Sequence, residues 1–267
     1  MAAEILTDVG ALRDEAAELD ALVAELRADQ WRLETPAVGW TIAHQIVHLA
    51  AAFRMAGVAL TRPEEFTRLT AGLSARFGMA VATLQEEFLA SGESPLERWR
   101  AEREVTEGAL AASPAAGIVP WPVRPVPASV LVAVGLTEVF AHGQDVRDAL
   151  GVRRRWTDRI RQVAGFGART RDFGYLARGL TPPAEEFRFE LTGPSGDLWE
   201  FGPAGSDQVV SGPAADFCLL VTRRRHRDDL ALVARGAEAD RWLGIAQAYR
   251  GPAGPGRQSG QFSSVGG

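Results

Sequence analysis

Apolar residues recur at helical spacing through most of the first 150 positions. Leu6, Val9, Leu12, Leu19, Leu22, Val23 and Leu26 form one stripe between Ile5 and about Ala28, with polar residues on the other face, the pattern of a long amphipathic helix. After a loop around Pro36 and Gly39, Thr41 is placed to cap a second helix running to about Leu60. A third, longer helix is predicted from Pro63 to Ser91 and Gly92 through Phe66, Leu69, Leu73, Phe77, Val81, Leu84 and Phe88, with Gly72 and Gly78 inside it. Ser94 and Pro95 open a fourth, ending near Ala112, which the charged run REREVTE marks as largely exposed. Prolines at 114, 120, 122, 125 and 127 forbid regular structure in the next segment, a tight and partly extended connection. A further helix is expected from about Ser129 to Leu150, with Gly151 as its C-cap.

The pattern changes near Gly179 to Pro183. Phe187, Phe189 and Leu191 alternate with charged residues, GPSGD supplies a turn, and Leu198, Trp199 and Phe201 complete a β-hairpin. Gln208 to Ser211 reads as a short strand, and PAADFCLLVTRR, DDLALVARG and AEADRWLGIAQAY read as short helices. The stretch from Gly251 onward has little apolar content to pack and is expected to be mobile. The predicted fold class is α+β: a helical domain over residues 1–180, a smaller mixed domain over 181–252 and a flexible tail over 253–267.

Composition narrows the class. A chain of 267 residues with 46% hydrophobic content suits a soluble globular protein of one large or two ordinary domains. A net charge of -5 without a basic stripe argues against a nucleic-acid or anionic membrane partner, while leaving a local arginine cluster able to bind a small anion. The single cysteine, Cys218, cannot form an internal disulfide, and the N-terminus reads as a charged helix and not a signal peptide, so a cytoplasmic location is expected. No uninterrupted apolar run approaches the roughly 20 residues that a membrane span needs.

The candidate chemistry lies on two of the predicted helices. His44 and His48 in GWTIAHQIVHLA, and Glu138 and His142 in TEVFAHGQDVRDALG, are each four residues apart, so each pair shares a helix face. Two such helices packed face to face bring His, Glu and His to one point, a donor set that suits Zn(II), Fe(II) or Ni(II). His48 sits among Ile46, Leu49 and Ala50, where an unpartnered imidazole costs about 1–3 kcal/mol. Glu138, between LVAVGL and VFAH, calls for a charged partner or a metal. Spacing alone leaves two other readings open: His44 as a core or capping residue, and Glu138 with His142 as a bonded pair within one helix.

These two phrases, in this order, resemble the signature segments of the DinB-like metal-binding superfamily, and more narrowly the mycothiol-dependent maleylpyruvate isomerase N-terminal domain and its actinobacterial relatives. The later phrases GPSGDLWEFGP, VSGPAADFCLLVTRRRH and WLGIAQAYRGPAGPGR resemble the C-terminal half of one branch of those relatives, a half related to the isomerase's sterol-carrier-like domain. The resemblance implies a four-helix bundle holding a divalent metal, commonly zinc, through His48, Glu138 and His142. It makes His44, where relatives usually carry an acidic residue, a substrate-facing or supporting group. Asp145, one turn beyond His142, is placed to orient that imidazole or to finish the helix, or else is a solvated charge on the helix surface. The resemblance also aligns Arg223-Arg224-Arg225-His226 with a position from which an arginine reaches the active site. Arg224 then grips a substrate carboxylate, with Arg223 and Arg225 toward the thiol cofactor and Trp121 as a pocket wall; the alternative is a solvated run.

The chemistry implied is metal-assisted thiol activation, with mycothiol as cosubstrate and a small electrophile as partner, in a monomer or homodimer. All basic residues being arginine fits GC-rich coding and an actinobacterial source, where mycothiol is made. Two other readings stand beside it: the scaffold reused for a thiol-independent cyclisation or rearrangement in natural-product assembly, and a non-catalytic ligand-binding protein.

Overall fold

The computed structural model describes residues 2–70, 77–122 and 124–262. The chain forms two compact units, Met1–Val152 and Arg153–Gly267. The compositional change near Gly179 lies inside the second.

In the first unit, α1 spans Ala2–Ala24, α2 Ile42–Thr61, α3 Pro63–Thr70, α4 Phe77–Ala90, α5 Pro95–Ala112 and α6 Ala128–Leu150. Helix α2 is central: it packs against α4, α5 and α6, while α1 lies on α5 and α6. It is apolar enough to pass a length-and-hydropathy test for a membrane span, yet that apolarity serves the core, with Ile42, Ile46, Leu49 and Ala50 fully enclosed. The bundle is tight where Gly57 of α2 meets α5, because a Cβ there would stand 2.8 Å from Thr106 Oγ1. Gly151, at φ 65°, ends α6 in the left-handed conformation expected of a C-cap glycine.

One expectation changes here, and part of another lies outside the described residues. Gly72 and Leu73 of the predicted third helix lie outside the described residues, which show α3 before them and α4 after. Helix α5 is not largely exposed. It buries Leu96, Trp99, Thr106 and Leu110 together with Glu102 and Glu107. Those carboxylates are tolerated because cations meet them: Arg54 at 3.4 Å and Arg98 at 3.8 Å from Glu102, and Arg13 at 3.5 Å and Arg103 at 3.7 Å from Glu107. The proline-rich connection is irregular, as its prolines require, apart from a two-residue antiparallel pair, β1 (Ile118–Val119) with β2 (Val126–Pro127).

One ion pair ties α1 to α5. Arg100 donates from Nε and Nη2 to the two oxygens of Asp20 at 2.8 and 2.6 Å, with Arg103 at 3.3 Å. The Arg100 hydrogen bonds hold the Asp20 carboxyl below its ordinary pKa. A carboxyl depressed by folding stabilises the folded state above its unfolded pKa of about 3.9 and loses that contribution as pH falls through the folded value. Asp20→Asn is therefore expected to cost about 1 kcal/mol near neutral pH. The gap from wild type should close below about pH 4 in urea unfolding.

The second unit holds α7 (Arg161–Arg169), α8 (Phe173–Leu176), β3 (Phe187–Thr192), β4 (Leu198–Phe201), β5 (Gln208–Pro213), α9 (Ala214–Val221), β6 (Val233–Arg235) and α10 (Ala237–Leu243). The sheet order is β4-β3-β5-β6. The predicted hairpin is present, pairing Phe189 with Phe201 and Leu191 with Trp199, and β5 runs parallel to β3. Helices α9 and α10 lie on the sheet around a fully enclosed aromatic cluster in which Phe189 meets Phe217 and Trp242 at centroid distances of 5.3 and 5.4 Å. DDLALVARG is not a helix: Val233 to Arg235 pair with β5 as a largely exposed strand. The part of the tail through Phe262 bonds back to this unit. Arg223 Nη2 donates to the Gly254 carbonyl, the Gly260 N–H donates to Asp229, and the Arg225 guanidinium lies 3.7 Å from the Phe262 ring centroid.

Candidate metal centre

The short loop before α2 sets up the site. Gly39, at φ 79°, adopts a left-handed conformation that costs glycine little. It closes a turn in which both the N–H and the hydroxyl of Thr35 donate to the Trp40 carbonyl, each at 2.8 Å. Thr41 then caps α2. Its backbone N–H donates to His44 Nδ1 at 3.2 Å and its hydroxyl lies 2.7 Å from the same nitrogen. His44 is thus the third residue of a capping box, an imidazole in the place usually held by Glu or Gln. That engagement turns its Nδ1 to the helix start.

His48 lies one turn further along α2, opposite Glu138 and His142 of α6. The three offer ligand atoms within 4.8 Å of one another. Glu138 Oε2 stands 3.5 Å from His48 Nε2 and 3.2 Å from His142 Nε2. Ligands at 2.0–2.1 Å in a tetrahedron about zinc stand about 3.3 Å apart, so the spacing suits a small divalent cation. The side chains are 21%, 29% and 13% exposed for His48, Glu138 and His142, partly open to solutes. Burial pushes the Glu138 carboxyl upward, but hydrogen bonds and positive charge from His142 and His48 outweigh it and hold the group well below the usual carboxylate range.

Gln45 supports the arrangement, and sequence reasoning overlooked it. Fully buried on α2, it donates from Nε2 to Thr35 Oγ1 at 2.8 Å, and its Oε1 lies 2.5 Å from His142 Nδ1. The Thr35 hydroxyl gives its proton to Trp40, so it accepts from Gln45, and Gln45 in turn has an oxygen for His142. The network therefore assigns a proton to His142 Nδ1 and turns Nε2 toward Glu138. At 3.2 Å from the Glu138 oxygen, Nε2 donates to the carboxylate when the ring is an imidazolium and offers its lone pair to a cation when the ring is neutral. The residues thus fit a metal by donor type and spacing, with Nε2 of His142 as the nitrogen presented to it. The Trp40 ring, also overlooked, covers both imidazoles at centroid distances of 5.2 Å from His48 and 5.9 Å from His142. A signal for Gln45 existed: a polar residue three positions before His48 shares its helix face.

Asp145 is fully buried on α6 and not a solvated surface charge; His142 Nδ1 donates to Gln45 Oε1. Trp121 stacks on Phe66 with centroids 5.7 Å apart and planes 7° from parallel. Together with Glu138 it lines a cavity of about 60 Å³. The arginine run follows α9: Arg223 has a left-handed backbone at φ 58°, Arg224 Nη1 donates to the Thr222 carbonyl at 2.5 Å, and Arg225 Nη1 to the Arg224 carbonyl at 2.7 Å. His226 caps the following 3-10 turn by accepting from the Asp228 N–H.

A helical bundle with a His-Glu-His centre on two of its helices, followed by a small mixed-sheet unit, defines the class. Residues 12–147 match the family model described as the mycothiol maleylpyruvate isomerase N-terminal domain, and the chain belongs to that family. Residues 183–235 match a second model, described as wyosine base formation. Uncharacterised proteins of two Mycobacterium tuberculosis strains, CDC 1551 / Oshkosh and ATCC 25618 / H37Rv, are each 46% identical over 250 residues, covering 93% of this chain and 97% of theirs. Crystal structures of the mycothiol-dependent maleylpyruvate isomerase and of a histidine-to-alanine mutant match 81% of this chain and 88% of theirs, at TM-score 0.49 and 17% identity.

Proposed function

We propose that the protein is a divalent-metal-dependent enzyme, with zinc as the metal, that uses a low-molecular-weight thiol such as mycothiol to transfer onto, or isomerise, a small electrophilic metabolite. The observation that carries this reading is the spacing of 3.2 and 3.5 Å between the Glu138 carboxylate and the two imidazole nitrogens. Membership of a family whose description names mycothiol supports the choice of thiol.

Each residue has a part in this chemistry. His48, Glu138 and His142 would hold the cation, which would supply Lewis acidity that favours the thiolate form of a thiol. Gln45 keeps the His142 proton on Nδ1, so that Nε2 stays a donor of electrons. Trp40 limits water on one side of the imidazoles, and a dry surround strengthens every charge interaction inside it. Trp121 and the residues around it hold the electrophile at the Glu138 end of the cavity.

A panel of conjugated carbonyl and epoxide electrophiles, assayed with and without added mycothiol, tests the reading. Turnover is expected only with the thiol, and is lost on dialysis against a chelator and regained with zinc. Turnover unchanged without any thiol would reject thiol transfer and favour a thiol-independent cyclisation or rearrangement on the same scaffold.

A further inference from the structure

The cavity beside Glu138 has a chemical character of its own. Its walls are Leu12 of α1, Phe53 and Ala56 of α2, Leu110 of α5 and Leu131 of α6, and Trp121 lines it from the connection before α6. Among the described residues that line it there is no cationic side chain. The two polar groups on its wall besides the Trp121 indole are Thr106 and Glu138. The Thr106 hydroxyl is engaged, donating to the Phe53 carbonyl at 2.7 Å. Glu138 is an acceptor turned to the two histidines. A carboxylate entering this space would find hydrocarbon walls and no cationic side chain among the lining residues, so it would lose its hydration with little in return.

Size limits the occupant as well. An apolar cavity of about 150 Å³ holds benzene, with its six carbons. By the same proportion, the 60 Å³ found here accepts about two or three carbon atoms. The stacking of Trp121 on the buried Phe66 ring keeps that wall in place.

We infer that the substrate places an uncharged, apolar arm of two or three carbon atoms in this cavity, with its reacting atom at the Glu138 end. This rests on the proposed enzymatic function, and it excludes an anionic group from this arm of the substrate.

The test uses the full chain without metal, so that it is separate from the metal reading. Ethanol, propanol, butanol and pentanol are titrated against the protein and followed by the methyl NMR signals of Leu12, Leu110 and Leu131, beside the matching carboxylates from acetate to pentanoate. Affinity is expected to rise about fourfold for each added methylene, the factor equivalent to about 0.8 kcal/mol per buried methylene, and to level off once three carbons are enclosed. The carboxylates should bind at least about tenfold more weakly. Ala56→Leu, which fills the space, should abolish the alcohol shifts, while Trp121→Ala should move the plateau to longer chains. Carboxylates binding as well as alcohols, alcohol shifts that survive Ala56→Leu, or no saturable shift in any methyl would each overturn the inference. A wild-type protein that binds the alcohols but takes up no zinc would reject the proposed function and leave the character of the cavity standing.

Discussion

If the centre holds zinc as proposed, replacing Glu138 with alanine is expected to remove stoichiometric zinc from the purified protein and to weaken its affinity for the ion by at least about a hundredfold. Two imidazoles remain, on different helices, and the only negative charge of the donor set is gone. The 3.2 and 3.5 Å approaches both run through Glu138 Oε2, so its loss also frees the imidazoles to turn. Glu138→Asp keeps the charge but draws it back by a methylene, and should fall between wild type and alanine. Elemental analysis after desalting reads the stoichiometry, competition with a chromophoric chelator reads the affinity, and far-UV circular dichroism checks that the bundle persists. An unchanged zinc content in Glu138→Ala, with the helix signal intact, would remove this carboxylate from the centre.

Gln45→Leu is the second large effect, although Gln45 touches no metal. Leucine fills a similar volume but accepts nothing from His142 Nδ1 and donates nothing to Thr35. The imidazole is then free to carry its proton on Nε2, where it blocks the lone pair a cation needs. Loss of such a supporting partner costs about 10- to 100-fold in metal affinity. Gln45→Glu retains an acceptor for Nδ1–H and should recover most of that loss. Nitrogen-15 NMR of His142 in the metal-free protein, at a pH where the ring is neutral, separates this effect from general loosening: wild type should retain its Nδ1 proton and Gln45→Leu should show a mixture of tautomers. An identical tautomer and affinity in both proteins would show that Gln45 only fills space.

The sequence carried the helices of the site well and its supporting contacts poorly. His48, Glu138 and His142 were legible because two four-residue spacings and apolar neighbours each point inward, and α2 and α6 do bring them together. His44 shares the spacing but falls at the third position of α2, where an unsatisfied N–H at the helix start competes for its ring. Sequence alone does not weigh that competition against the donor set one helical turn away. Gln45 was missed for a related reason: its partners, Thr35 and His142, lie 10 and 97 residues away, and a polar residue on an apolar helix announces burial only when its partners are known. The burial of α5 was hidden in the same way, since Glu102 and Glu107 read as solvent-facing until Arg54 and Arg13 arrive from other helices. For β6, the apolar spacing of DDLALVARG fitted a helix, and the open edge of β5 decided otherwise.

The centre joins residues 48 and 138, so a bound cation would close a loop of about 90 residues between α2 and α6. Because the unfolded chain does not hold the three donors together, the ion acts by mass action on the folded bundle alone. At a free concentration 1,000 times the dissociation constant it adds about 4 kcal/mol, a large share of what a small domain possesses. The amount of folded protein in a cell would then follow the supply of the metal as closely as the rate of synthesis.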